Sequence, residues 1–541
     1  MSASSKKKLR KDQDAAKLTQ RQQAELKEAK KLKIYTAAFV AAVAVMLVVA
    51  IVLGVNQTIT NKGLREKNTV AVTIGEHKVS NALLNYFYMD IVNQYSSYAS
   101  YMGVDTTAPL DEQVMDEEAG TTWADYFLDL AKDNAKSAFA MADAANAAGY
   151  TLPQAEQDSL DMSLNNITAY ATLYGFSDAD AYVKAMYGNG ASVAGYKEYQ
   201  ELNTLANSYY TAYGESLTYT DEDLRAAEAE NYDQYSSYSY QSYYLAANKF
   251  LEGGTTDEEG NTTYSDEEKA ASVEAAKAAA DSLVSEELAD VAALDAAIAA
   301  LSVNAETTAS STAYDDTKYS SVSSTIREWI TDQARTEGDR TVIASTTTST
   351  DDEGNETTTT NGYYVVWYRG MTDNTFALKN VRHILVAFEG GTTDDNGNTT
   401  YTDAEKLAAK EAAEALLEQW KSGDATEESF AELANAESAD GDGTTGGLYQ
   451  DIYPGQMVEP FEAWCYDETR AAGDTGIVES TYGYHVMYFV GDSDLTYRDY
   501  QIDSELRSQD LQNWYTETLE AVTVTDGDTK YISKDLVLSS N

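Results

Sequence analysis

The hydrophobic pattern of the chain begins with one long uncharged run. Residues 34–55 are rich in alanine and valine and carry no charged side chain, whereas residues 1–33 hold eleven Lys/Arg against four Asp/Glu. A helical run of this length can cross the hydrocarbon core of a bilayer, and a basic flank favours the cytoplasmic side. We therefore predict a transmembrane anchor at 34–55, a cytoplasmic segment at 1–33 and an extracytoplasmic remainder. A cleaved signal peptide is the alternative, which the long leader and long apolar run disfavour.

Beyond the anchor, apolar positions recur at helical spacing. A short hairpin is predicted over 69–80, with Ser80 placed to cap the helix that follows. Alanine- and tyrosine-rich amphipathic segments, broken at glycine and proline, then continue to about residue 235. The pattern predicts a mostly helical region over 56–235.

Two short runs further along have the residue types of β-strands. They lie at 381–386 and 482–488 and are rich in β-branched and aromatic residues. Each carries a histidine near its start, His383 and His485, and the whole chain has three histidines. A single strand histidine is ordinarily a hydrogen-bonded core residue. The pair therefore gains meaning only from the motifs that accompany it.

Several short motifs lie in and between these strands. They are R-H-I-L at 382–385, F-x-x-L-A at 430–434 with S-x-D at 438–440, G-G-L at 446–448, G-Q-M-V-x-x-F at 455–461 and Y-G-Y-H at 482–485. In this order and spacing, the segment 380–491 resembles the parvulin family of peptidyl-prolyl cis/trans isomerases. One departure is Gly447-Leu448-Tyr449, where the family usually has an acidic residue and a second glycine.

The resemblance implies roles for particular residues. The family's central polar network corresponds to His383, Asp440 and His485. Residues expected to contact substrate, of which the first two match the family's proline pocket, are Met457, Phe461, Leu448, Ser480 and Thr481.

The chemistry of proline isomerisation agrees with this set. Rotation about a peptide bond meets a barrier of ~18–20 kcal/mol because twisting removes amide resonance. An apolar slot for the proline ring, with polar groups that favour the twisted amide, lowers such a barrier without a nucleophile, metal or cofactor. We therefore expect no cofactor and no metal, and a polar network that shapes the site rather than exchanging protons with substrate.

An upstream segment contains short sequences that recur in the 380–491 segment. E-G-G-T-T-D and G-N-T-T-Y at 252–264 recur at 389–401, and G-Y-Y-V at 362–365 corresponds to G-Y-H-V at 483–486. The repeat predicts two tandem parvulin-like α+β domains, at 236–370 and 371–492.

The first of these two domains is predicted to be inactive. The offset of the repeat gives the following counterparts of His383, His485, Met457 and Phe461, in that order: Ala246, Tyr364, Val322 and Ile326. These residues keep the apolar framework and lose the polar network. We interpret the domain as a client-binding or spacing module.

Composition excludes several other classes of function. A net charge of −51 disfavours binding to nucleic acid or to an anionic membrane surface, and suits a protein that stays soluble beside sticky clients. One cysteine, Cys465, allows neither an intramolecular disulfide nor a cysteine metal cluster. The acidic turns at 257–260, 351–354 and 394–397 lack the spacing of a calcium loop and are predicted hairpin turns.

The order of these parts resembles PrsA/SurA-like foldases. That layout implies a chaperone-like helical region ahead of the isomerase and a carboxy-terminal helix, within 493–541, that packs on the chaperone region. We therefore predict an α+β, membrane-anchored, extracytoplasmic foldase whose partners are unfolded secreted polypeptides with X-Pro bonds. A homodimer is compatible with this layout.

Two alternative functions are considered. One is a chaperone that keeps a catalytically silent parvulin scaffold. The other is a surface adhesin, which the presence of only two repeats disfavours.

Overall fold

The computed structural model describes residues 3–534, except 100, 259, 286, 305–307, 351–353, 395–396 and 442. Within the first helix, the side chains of residues 12, 14–29, 32 and 34–41 are also outside the description. The turns predicted at 257–260, 351–354 and 394–397 therefore lie partly outside the described residues.

The helices are distributed along the whole chain. They are α1 Ala3–Asn61, α2 Leu64–Asn68, α3 Asn81–Ser96, α4 Trp123–Ala147, α5 Gln154–Leu173, α6 Ala179–Tyr187, α7 Val193–Ser216, α8 Asp221–Glu230, α9 Asp266–Ser282, α10 Val291–Ala300, α11 Ser324–Ile330, α12 Asp403–Ser422, α13 Glu427–Glu437, α14 Glu459–Cys465 and α15 Tyr497–Glu520.

The strands give the chain its mixed α+β character. They are β1 Val70–Ile74, β2 His77–Ser80, β3 Val114–Asp116, β4 Thr121–Thr122, β5 Ser237–Ala246, β6 Thr255–Thr256, β7 Thr262–Thr263, β8 Thr312–Lys318, β9 Arg340–Thr350, β10 Glu356–Thr372, β11 Ala377–Ala387, β12 Thr392–Thr393, β13 Thr399–Thr400, β14 Leu448–Ile452, β15 Thr475–Glu479, β16 Gly483–Thr496 and β17 Val524–Asp526.

The apolar amino-terminal run lies in helix α1. Within the described residues, the stretch Ala42–Asn61 of this helix is long and apolar enough to cross a membrane. The predicted span began at residue 34, and the side chains of 34–41 are outside the description.

The chain forms two compact units, of which the first comprises residues 1–217 and 509–541. Its small sheet has the order β17-β1-β2, so a strand near the carboxyl end pairs with the first strand. Ser80 caps helix α3, because its hydroxyl accepts a hydrogen bond from the Leu83 backbone N–H at 3.2 Å. In the same unit, the Trp514 ring stacks on Tyr213 at 3.8 Å between centroids.

The second unit, residues 218–508, contains two four-stranded antiparallel sheets. The order in the first sheet is β8-β5-β10-β9, and the order in the second is β14-β11-β16-β15. Helix α9 packs on the first sheet and helices α12 and α13 on the second. Apolar residues of the short helices α11 and α14 pack in further clusters with strand residues of the first and second sheet, respectively.

Two glycines fix the equivalence of the central strands. Gly362 lies opposite Ala246, and Gly483 lies opposite Ala387. A Cβ on Gly362 would lie 2.4 Å from the carbonyl oxygen of residue 245, and one on Gly483 would lie 2.2 Å from that of residue 386. Both positions therefore exclude a side chain for the same reason, and they occupy the same place in their sheets.

This register corrects one counterpart predicted from the repeat. His383 lies four residues before Ala387, so its equivalent is Ser242, four residues before Ala246. The predicted equivalent, Ala246 itself, is wrong because the first sheet carries an additional 3₁₀ turn at Ala247–Phe250 between the strand and the repeated hairpin. The offset of the hairpins therefore does not apply to the strand before them.

Candidate active site

The two strand histidines meet across the centre of the second sheet. His485 on β16 lies opposite Leu385 on β11, two residues from His383, so both imidazoles project from the same face. Their Nδ1 atoms are 3.1 Å apart. Both side chains are buried, with His383 3% and His485 5% exposed.

Asp440 reaches His383 from the loop that follows helix α13. The Ser438 hydroxyl accepts hydrogen bonds from the backbone N–H groups of Leu385, at 3.1 Å, and Asp440, at 3.2 Å. The Ala439 N–H donates to the Leu385 carbonyl at 2.9 Å. These bonds fasten the loop to β11 and leave the Asp440 Oδ2 atom 3.1 Å from His383 Nε2.

The glycine turn at 446–447 packs directly on the same strand. The backbone N–H of His383 donates to the Gly447 carbonyl at 2.9 Å. Gly447 has φ +64°, and a Cβ there would lie 2.2 Å from the His383 carbonyl oxygen. Only glycine satisfies both the left-handed backbone and this close approach.

Two hydroxyl groups complete the polar network at its ends. The Tyr449 hydroxyl donates to Asp440 Oδ2 at 2.9 Å. At the other end, the Ser480 hydroxyl lies 2.8 Å from His485 Nε2 and accepts from the Tyr482 backbone N–H at 3.1 Å. The network therefore runs from a serine through two histidines and an aspartate to a tyrosine.

Burial keeps both imidazoles neutral at pH 7. It lowers the pKa of His383 to about 4, with a further lowering by His485, and these effects outweigh the opposite influence of Asp440. Burial also lowers the pKa of His485. Burial, together with the Asp440 carboxylate, raises the pKa of Tyr449 to about 12, so its hydroxyl remains a donor.

Neutral imidazoles leave one consistent arrangement of protons. Asp440 can only accept, so His383 carries its proton on Nε2 and accepts at Nδ1. His485 must then carry its proton on Nδ1 and accept at Nε2, where the Ser480 hydroxyl donates. All four ring nitrogens of the two histidines have a partner in this assignment, which follows from the bonds rather than from observed hydrogens.

An apolar surface faces this network across a cavity of about 320 Å³. The Phe461 ring is 2% exposed and lies edge-on to both imidazoles, with centroids 5.3 Å apart in each case. The described residues that line the cavity are His383, Leu385, Asp440, Tyr449, Gln456, Met457, Val458, Phe461, Tyr482 and His485. The arrangement offers a slot for a small apolar ring beside a rigid set of polar groups.

The structure brings most of the predicted site residues together. Five of them line the cavity: His383, Asp440, His485, Met457 and Phe461. Ser480 lies behind it, on His485. Leu448, paired opposite Arg382, and the exposed Thr481 are not among the described residues that line it.

Tyr449 is the member of the polar network that sequence reasoning missed. It lines the cavity, donates to Asp440 and lies 4.9 Å from the His383 ring centroid. The available signal was the departure at Gly447-Leu448-Tyr449, where a large polar aromatic residue follows the glycine turn.

Comparisons with known proteins point to one kind of domain. Residues 363–491 match the model of the PPIC-type PPIase domain. Foldase protein PrsA 1 of Listeria innocua is 44% identical over 64 residues, and that of Listeria monocytogenes is 42% identical over 64 residues. Each match covers 12% of this chain and spans 22% of the length of that relative.

Solved structures of PrsA proteins are also similar in part. PrsA from Bacillus anthracis has 22% identity and a TM-score of 0.17, with 28% of this chain and 59% of that chain covered. PrsA from Bacillus subtilis has 23% identity and a TM-score of 0.17, with 27% and 48% covered.

Proposed function

We propose that this chain, which carries a PPIC-type, parvulin-type isomerase domain and resembles the PrsA foldases, catalyses cis/trans isomerisation of X-Pro bonds in polypeptides. The observation that carries the proposal is the cavity in which Met457 and Phe461 face the buried pair His383 and His485. A proline ring fits the apolar side, and its amide then lies beside the polar side.

The cavity would accelerate rotation in two ways, by removing the amide from water and by holding the proline ring. A planar amide is stabilised in water because resonance separates charge within it, whereas the twisted amide has lost that resonance. Removing the amide from water into a slot beside the Phe461 ring withdraws support from the planar form. Because the slot holds the proline ring while the chain before it turns, binding energy is used in the transition state.

The polar network would act by keeping its side chains, which form one wall of the cavity, in a fixed arrangement. Its proton positions are already satisfied by neighbouring groups, from the Ser480 hydroxyl to the Asp440 carboxylate. Neutral imidazoles at pH 7 have no strong acid to offer, and isomerisation breaks no covalent bond. We therefore assign His383 and His485 the role of positioning the cavity wall and not that of an acid–base pair.

The first sheet would be a silent copy of the same fold. It shares the strand order of the second sheet, with Ser242 and Tyr364 in the places of the histidines. Tyr364 packs against the cluster of Val322 and Ile326, both almost fully buried. Apolar packing at this place supports the loss of the polar network in this copy, and we assign 236–370 a client-binding or spacing role.

The remaining parts of the proposal concern location and partners. The apolar stretch Ala42–Asn61 supports a single membrane anchor, with the isomerase outside the cytoplasmic membrane and the basic residues 1–33 inside. Secreted polypeptides that contain X-Pro bonds are the proposed substrates, and the helical region 56–235 would hold them unfolded.

A protease-free isomerisation assay tests the activity. The full chain in detergent micelles should shorten the relaxation of a fluorescent X-Pro peptide, and the His485→Tyr variant should not, because it places the residue of the silent copy in the cavity. Matching near-ultraviolet circular dichroism would show that the variant is folded. If the folded wild-type chain leaves the relaxation unchanged, the isomerase proposal is wrong and a chaperone with a silent scaffold takes its place.

A further inference from the structure

A second cavity lies in the first unit, among helices α3, α4 and α7 and the end of α15. Its volume of about 420 Å³ is within the range of small-ligand pockets. The described residues that line it are Phe87, Asp90, Asn134, Ser137, Ala138, Met141, Tyr199, Asn203, Ala206, Asn207, Tyr210 and Tyr515. We refer to it as the helical cleft.

The helical cleft interrupts the packing expected between helices. Positions on one face of α4 and of α7 meet there, and facing helices normally fill such positions with apolar side chains. Buried Phe87, Ala138 and Met141 form an apolar floor, but Asn134 and Asn207 are exposed at the rim. A floor of this kind under a polar rim is typical of a binding site rather than of a core.

Asp90 is the one charged side chain among the residues that line the cleft. It accepts a hydrogen bond from the Tyr199 hydroxyl at 2.5 Å. No Lys or Arg of the described residues forms an ion pair with it. Burial raises the pKa of Asp90, against the lowering effect of hydrogen bonds from Tyr199 and Tyr187. A cation brought into the cleft would therefore stabilise the charged form of this carboxylate.

The other polar groups suit a cation carried on a peptide. Asn203 donates to the Tyr199 carbonyl at 2.8 Å, which leaves its side-chain oxygen as an acceptor. The side chains of Asn134 and Asn207 make no hydrogen bond to the described residues, and an amide can pair with both groups of a peptide unit. Tyr210 adds an aromatic ring, which attracts a guanidinium group.

We infer that the helical cleft binds a basic side chain, foremost arginine, of an extended polypeptide, with Asp90 as its counter-ion. Arginine fits better than lysine because its planar group can pair with a carboxylate, donate to amide oxygens and lie on a tyrosine ring together. The inference rests on the proposed handling of polypeptides but not on the isomerase cavity. It gives the helical region a preference for basic segments of a client.

Binding of matched peptides tests the inference. The probe is a short fluorescein-labelled peptide of alanine and serine with one central arginine, compared with the same peptide carrying citrulline, which is neutral and nearly isosteric. Fluorescence anisotropy with the full chain in detergent micelles should show on the order of tenfold tighter binding of the arginine peptide. Asp90→Asn should remove this difference, whereas Asp161→Asn, an exposed aspartate on α5, should keep it.

A rim variant protects the test against a folding defect in Asp90→Asn. Asn207→Lys, at an exposed position, places a competing ammonium group at the cleft. It should weaken binding of the arginine peptide and leave the affinity for the citrulline peptide unchanged. Equal affinity of the two peptides for the wild-type chain, or a preference that survives both cleft variants, would overturn the inference. Isomerase activity measured on the same samples distinguishes this failure from a failure of the proposed function.

Discussion

The two four-stranded sheets of residues 218–508 have the same strand order but different chemistry at the same place. In the second sheet, His383 and His485 face a cavity. In the first, the equivalent positions are Ser242 and Tyr364, and Tyr364 packs on a buried apolar cluster. The fold therefore requires only the apolar framework and the close glycine. The same strand order forms without the polar network in the first sheet, which supports the assignment of that network to function.

The comparison of the two sheets predicts that substitutions on the apolar side of the cavity lower the isomerisation rate most. Met457→Ala and Phe461→Ala should each lower the isomerisation rate on the order of 10–100-fold, because the slot for the proline ring is widened. Phe461→Ala also removes a buried ring, at a cost of about 3–5 kcal/mol of stability.

Ile326→Ala, in helix α11 beside the first sheet, is the matched control for these variants. Ile326 is 2% exposed, like Phe461, so its truncation should cost about 2–5 kcal/mol of stability. The isomerisation rate of the folded fraction should stay at the wild-type value. Wild-type activity in folded Met457→Ala would show that the proline ring is not bound where we place it.

A smaller effect, on stability, is expected when His383 is replaced. His383→Ala leaves the Nδ1 proton of His485 and one side of Asp440 without their partner, which should cost about 1–3 kcal/mol. Ser242→Ala at the equivalent position should change stability by less than about 1 kcal/mol. Thermal melts of both variants measure the contrast. A His383→Ala melt equal to the wild type would argue against a network that orders the site.

The pH dependence of stability should distinguish the wild type from the His383→Ala variant. The unfolded chain protonates His383 near its ordinary pKa of 6.5, whereas the native pKa is about 4. Between these values the unfolded state binds the additional proton, so native stability falls as pH is lowered from about 6.5 to about 4. The stability advantage of the wild type over His383→Ala should therefore be full above pH 6.5 and narrow towards pH 4. An advantage constant over this range would contradict a buried neutral histidine.

Sequence patterns pointed to half of the residues that line the candidate site, because its motifs lie within single elements or turns. The glycine turn at 446–447 was visible in the motif order, and the structure explains it through the contact with the His383 carbonyl. Met457 and Phe461, four residues apart, were predicted on one side of the cavity, and both line it. These features depend on neighbours within one element or one turn, which a sequence records directly.

Other features depended on contacts across the fold. The equivalent of His383 was wrong by four residues, because a 3₁₀ turn at Ala247–Phe250 shifts the strand relative to the hairpin. The bond between Tyr449 and Asp440 joins a strand to a loop, and no spacing rule predicts it. The helical cleft was also beyond the sequence, since helical periodicity does not reveal which polar positions face each other across a gap.

The smallest predicted effect concerns Tyr449, which has no counterpart in the motif that identified the domain. Tyr449→Phe keeps the ring beside His383 and removes only the hydroxyl that donates to Asp440. The isomerisation rate should fall about 2–10-fold, with a loss of about 0.5–1.5 kcal/mol in stability. Thr481→Val is the control, because Thr481 is exposed and does not line the cavity among the described residues. If Thr481→Val lowers the rate more than Tyr449→Phe does, the turn before Gly483 contacts substrate, and the cavity seen here is only part of the binding surface.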